Sequence, residues 1–115
     1  MFYPGHVPLP YPALHASHTG IWIARDGEVR AVSRGEAIRM AADTPMILMN
    51  APLIGQRLGY ADLSGLDLLE LYAFLRPARF MVPTPKGLAA VTGLDLPADD
   101  AAIAPFLLAA AERLL

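Results

Sequence analysis

The chain has 115 residues, 55% of them hydrophobic and 17% charged, with a formal net charge of −2 and no cysteine. That length accommodates one domain with a real core, and the acidic balance argues against a domain that attracts a phosphate backbone over its whole surface. The lack of cysteine excludes a disulfide framework, a thiol nucleophile and a Cys-based zinc or iron–sulfur site.

Mean hydropathy is +0.40, high for a free-standing domain, in which charged residues make up about a quarter. The longest uncharged apolar run, residues 101–111, is nevertheless too short to span a bilayer and is interrupted by Pro105. Surplus hydrophobicity without a membrane segment points to a surface covered by another chain or domain. Met1-Phe2-Tyr3-Pro4 lacks the basic start and apolar stretch of a signal peptide, so the expected location is cytoplasmic.

Residues 1–12 form a proline-rich arm with Pro4, Pro8, Pro10 and Pro12, and residues 13–115 form the folded domain. Proline fixes φ and donates no hydrogen bond, so the arm is extended, lying across its own domain or in an aromatic groove of a partner. Next, Asp26-Gly27 between two β-type runs, 21–24 and 29–32, predicts a hairpin, because glycine accepts the positive φ of a tight turn. Arg25 and Glu28 face each other across it. Ser33 and Glu36 read as a capping box that starts a helix ending near Asp43.

Met46-Ile47-Leu48-Met49, bounded by Pro45 and Pro52, is an apolar run with no polar face, which predicts a strand over Met46 to Asn50 buried on both sides. Residues 53–62 make a turn or short irregular helix, and 66–75 a strongly apolar helix capped by Ser64 or Gly65 and stopped by Pro77. Residues 79–82 are expected to form a short strand. Thr84-Pro85 and Gly93 mark the two ends of the next helix. A final helix over 99–115 is expected to kink or start late at Pro105. The order predicts a small single-domain α/β fold, a mixed sheet packed with helices.

Four stretches, in order along nearly the whole domain, resemble motifs of the DnaQ-type 3′–5′ exonucleases. The similarity is closest to the amino-terminal region of some bacterial DinG-type ATP-dependent DNA helicases. His15-Ala16-Ser17-His18-Thr19-Gly20 stands where the family has an Asp-x-Glu-Thr-Thr-Gly-like turn. Met49-Asn50-Ala51-Pro52-Leu53-Ile54 stands where it has a His-Asn-Ala-x-Phe-Asp-like motif. Leu66-Asp67-Leu68 matches an Asp-Thr-Leu-like helix start, and residues 99–105 take the place of the last motif. The resemblance implies a ribonuclease-H-like fold. It also puts His15, Ser17, Ile54 and Ala104 where the family's metal-binding carboxylates belong.

Phosphodiester cleavage of that kind needs carboxylate oxygens to hold two divalent cations about 4 Å apart. Isoleucine and alanine cannot ligate a metal. The resemblance therefore implies an exonuclease-like fold without metal, cofactor or catalysis: an accessory domain of a DNA helicase, contacting the rest of that polypeptide or another protein, or single-stranded DNA. No Gly-x-x-x-x-Gly-Lys-Ser/Thr is present, so the chain carries no ATPase motor and is read as a fragment of a longer protein.

Two other readings use different residues. A metal-dependent nuclease would draw on Asp26 and Glu28 with Asp67 and Asp99 or Asp100, and a small protein–protein adaptor would use none of these. His6, His15 and His18 as a metal site, Asp67 and Glu70 as an acid–base pair, and Ser17 as a nucleophile each have a simpler structural explanation. The best basic patch is Arg76, Arg79 and Lys86 with Phe80 among them, a candidate contact for single-stranded DNA.

Overall fold

Burial on both faces decides which strand lies inside. In the computed structural model, which describes residues 11–115, Met46, Ile47 and Leu48 have no exposed surface and form the strand β4 (Met46–Leu48). Ile47 points into one core, while Met46 and Leu48 point into the other. A strand with apolar side chains on both faces has to be covered on both sides, and the remaining elements do that.

Among the described residues there are five strands and five helices. The strands β1 (Ala13–Ser17), β2 (Gly20–Arg25) and β3 (Glu28–Ala31) form an antiparallel meander. β4 then pairs parallel to β1, and β5 (Gly65–Asp67) pairs parallel to β4, giving the sheet order β3-β2-β1-β4-β5. Helices α1 (Arg34–Asp43) and α2 (Ala51–Leu58) cover one face, where Leu14, Ala16, Ile23, Leu48, Ile54 and Leu58 meet. Helix α5 (Asp100–Leu114) crosses the other face over β1 to β4 and packs with α3 (Leu68–Leu75) and α4 (Pro85–Thr92). The chain is a compact α/β domain with a mixed sheet, as predicted, and no helix among the described residues is long and apolar enough to cross a membrane.

Several local expectations hold. Asp26 and Gly27 take φ of 54° and 81°, the paired positive values of a two-residue hairpin turn. The Ser33 hydroxyl accepts from Glu36 N–H at 3.1 Å. Thr84 accepts from Gly87 N–H at 3.1 Å, with Pro85 in the first turn of α4 and Gly93 closing it at φ 74°.

Others are corrected. The Glu36 carboxylate pairs with Arg30 at 2.8 Å instead of returning to its own helix end, so only half of the capping box forms. Residues 66 and 67 belong to β5, and Asp67, not Ser64 or Gly65, is the N-cap of α3. The irregular segment predicted over 53–62 contains a regular helix, α2, whose N-cap Asn50 accepts from Leu53 N–H at 3.2 Å. Residues 79–82 form no strand; they lie in the loop between Pro77 and Pro83, whose fixed φ and missing N–H groups disfavour a ladder there. α5 starts at Asp100 and runs through Pro105, so the late start is not found. Of the arm over 1–12, only Tyr11 and Pro12 fall within the described residues; His6 and the remaining arm residues lie outside them.

Asp67 is 5% exposed, and its carboxylate accepts three backbone N–H groups: Asn50 at 3.0 Å, Ala51 at 2.7 Å and Leu69 at 3.0 Å. Replacing Asp67 with alanine leaves those donors unsatisfied, and we expect a loss of about 3 kcal/mol or more in urea unfolding. Asp62→Ala, at an exposed position, should stay within about 0.5 kcal/mol. Equal midpoints for the two variants would remove Asp67 from this role.

Candidate functional site

Strands β1 and β4 run parallel with Ala13 opposite Ile47, so β1 continues past the carboxyl end of β4, and open α/β sheets bind ligands outside such carboxyl ends. A cleft of about 350 Å³ opens there, within the range of small-molecule sites. Alternation along β1 turns Ala13, His15 and Ser17 toward α5, and Leu14 and Ala16 toward α2. β1 thus contributes His15 and Ser17 to the cleft. The β4–α2 junction contributes Asn50, Leu53, Ile54 and Arg57, the loop before α4 contributes Thr84 and Pro85, and α5 contributes Asp100 and Ile103.

Asn50 is the pivot of the second wall. It holds a left-handed conformation, φ 69° and ψ 71°, which asparagine tolerates better than most residues. With its N–H on Asp67 and its side chain capping α2, the chain turns sharply out of β4, and α2 sets Ile54 and Arg57 against the end of β1. The Arg57 guanidinium donates to the Ala16 carbonyl at 2.7 Å, tying α2 to β1.

On the facing side, two hydroxyls clasp the start of α5. Ser17 Oγ donates to Asp100 Oδ2 at 2.7 Å, and Thr19 Oγ1 reaches the same oxygen at 2.8 Å. These bonds favour the ionised carboxylate and hold Asp100 below its ordinary value of 3.8, Ser17 first and Thr19 second. His15 lies against Trp22 with ring centroids 6.3 Å apart. Burial lowers its pKa from the ordinary 6.5; Asp100 opposes that shift and Arg57 adds to it.

The motif positions separate into three and one. His15, Ser17 and Ile54 line the same cleft although they come from stretches nearly forty residues apart. Ala104 is fully buried in the core against α5's neighbours, and the α5 residue that faces Ser17 is Asp100, one turn earlier. That role was not legible from the motif order. One signal was available: of two consecutive aspartates at a helix start, only one can be the N-cap. Asp99 takes that place, accepting from Ala102 N–H at 2.9 Å, which leaves Asp100 free to reach the sheet.

Chemically the cleft holds one carboxylate (Asp100), two imidazoles (His15 and His18), two hydroxyls (Ser17 and Thr84) and a guanidinium (Arg57). The Ser17 proton is directed at a carboxylate made less basic by its surroundings, a poor match for nucleophile activation. No three His, Cys, Asp or Glu side chains among the described residues cluster as a metal site. Asp26 and Glu28 sit at the β2–β3 turn, whereas Ser17 pairs with Gly20 at the opposite end of β2. That is roughly 15–20 Å away at strand rise, and Asp67 is occupied by backbone donors, so these carboxylates do not converge.

Arg76, Arg79 and Phe80 lie on the exposed loop between α3 and α4, and Lys86 is exposed on α4. They are outside the cleft, but their loop ends on its wall at Thr84 and Pro85. A larger concavity of about 630 Å³ lies between α2 and β5, lined by Gly55, Gly59, Tyr60 and Ser64 with the carboxylates Asp67 and Glu70; Asp67 is engaged there by backbone N–H groups. Compared with protein-family models, curated proteins and solved structures, the chain matches none.

A His15 that is harder to protonate in the folded state than in the unfolded chain gives stability that is complete above pH 6.5. That contribution falls away as the pH drops below 6.5 toward the lower folded value. Thermal melts from about pH 7.5 to about pH 5 should show the decline, and His15→Phe, which keeps an aromatic ring beside Trp22, should flatten it. An identical slope in the variant would assign the acid sensitivity elsewhere.

Proposed function

We propose that this chain is a ribonuclease-H-like module, similar to a DnaQ-type exonuclease domain, that has no nuclease activity and serves as an accessory domain beside a DNA helicase motor in the cytoplasm. One observation carries the reading. Three positions singled out by separated motifs, His15, Ser17 and Ile54, meet at one cleft at the carboxyl end of the central strands. A chance alignment of short motifs has no reason to converge in space. The mixed sheet with helices on both faces is also the architecture that the resemblance implies.

The same cleft supports the absence of chemistry. Where divalent ions would need several carboxylates, the chain offers an imidazole stacked on Trp22, a serine spent on Asp100 and an isoleucine packed into the core. The single carboxylate ties β1 to α5, so its role here is architectural. What such a module contributes to a motor is contact, with the motor itself or with the DNA strand it moves.

Two measurements test the reading. An end-labelled single-stranded oligonucleotide should stay intact with the chain and Mg²⁺ or Mn²⁺; metal-dependent cleavage abolished by Asp100→Asn would overturn the silent cleft. The coding frame should continue past Leu115 into a Gly-x-x-x-x-Gly-Lys-Ser/Thr motor. A stop codon there would sink the fused form of the proposal.

A further inference from the structure

Residues 71–94 contain Arg76, Arg79 and Lys86 and no Asp or Glu, although the chain as a whole has 11 acidic against 9 basic residues. Within the same stretch Phe74 and Phe80 are each 82% exposed, the barest large apolar side chains among the described residues. Neither Arg79 nor Lys86 has an ion-pair partner among the described residues. Two uncovered rings and three exposed cations thus fall within residues 74–86 of a domain that is acidic overall, a segment of distinct chemistry.

The segment is also held in shape. Phe74 sits on the last turn of α3, and Arg79 N–H bonds back to the Arg76 carbonyl at 3.0 Å, folding the loop into a turn. Pro77, Pro83 and Pro85 fix φ along the segment. Thr84 N–H bonds to the Val82 carbonyl at 2.8 Å, and Gly87 lies so close to that carbonyl that a Cβ would collide with it. The loop backbone is therefore seated on the start of α4, which lowers the backbone ordering cost of binding.

We infer that the strap from Phe74 to Lys86 is a stacking platform for single-stranded nucleic acid. Phe74 and Phe80 take base faces, and Arg76, Arg79 and Lys86 take phosphates. Aromatic faces accept any base, so the recognition is tolerant of sequence. Three cations fall short of the roughly four to eight that mark a polybasic lipid site, and the exposed Phe74, Phe80 and Val82 are interleaved in the chain with cations, unlike the charge-poor core of a protein interface. The inference deepens the accessory-domain reading and rests on it for the setting beside a DNA motor.

The test is fluorescence anisotropy of a labelled thymidine oligomer with the whole chain, in EDTA throughout, between about 50 and 200 mM salt. Saturable binding is expected, with a log–log salt slope of about −2 for three phosphate contacts. Phe80→Ala should weaken binding on the order of tenfold, and Arg79→Ala should reduce the slope by about 0.7. Both side chains are exposed, so melting temperatures should not move. No binding at the lowest salt, equal binding by Phe80→Ala, preference for a duplex of the same length, or binding to acidic phospholipid vesicles or a polyglutamate peptide instead of the oligomer would each overturn the platform. Cleavage of the oligomer with Mn²⁺, measured separately, would sink the silent cleft and leave the platform standing.

Discussion

A single buried carboxylate organises the domain. Asp67 ends β5, begins α3, and receives the N–H groups of Asn50 and Ala51 from the junction of β4 and α2. A carboxyl group is tolerated at 5% exposure only when donors surround it. Here the donors come from the first turns of two helices, whose positive dipole ends both favour a negative charge. The bond network forces Asn50 into its left-handed turn, which sets the direction of α2 and so delivers Ile54 and Arg57 to the cleft. Next to it, Gly65 approaches the Met46 carbonyl so closely that no Cβ fits, which keeps β5 against β4.

A second polar contact closes the other wall. Asp100 binds the hydroxyls of Ser17 and Thr19 at the start of α5, and Arg113 near its end donates to the Thr92 carbonyl of α4 at 2.9 Å. Between these fastenings the helix buries Ala104, Phe106, Leu107, Ala110 and Ala111 against the sheet. Small residues let α5 lie close to β1 and β2, and the apolar contacts hold it there. The cleft is thus bounded by groups with structural work to do. That is why its carboxylate is engaged by hydroxyls and the His15 imidazole is stacked.

The composition finds two explanations in the fold. A sheet covered on both faces needs two apolar cores, and that accounts for much of the high hydrophobic fraction in a short chain. The rest is visible on the outside, where Phe74, Phe80, Val82 and Leu96 stand half-exposed or more. Phe74, Phe80 and Val82 fall within residues 71–94, a stretch with basic but no acidic side chains. Net charge therefore conceals a local reversal of sign, and charge per segment is the better guide to partners.

The amino-acid sequence by itself determined the elements whose signals are local. The Asp26-Gly27 turn, the Ser33 and Thr84 caps, the Gly93 stop and the fully apolar β4 depend on neighbours within a few residues, and each formed as the residues dictate. Only the tertiary structure decided where chain segments meet. Leu66 and Asp67 look helical because an apolar periodic run follows them, yet parallel pairing with β4 makes them a strand too short to show alternation. Glu36 turned to Arg30, and Asp100 rather than Ala104 came to face β1. Ser17 and Asp100 are separated by 83 positions and Asn50 and Asp67 by 17; periodicity and capping rules do not reach that far, because such bonds form only after the sheet has brought the strand ends together.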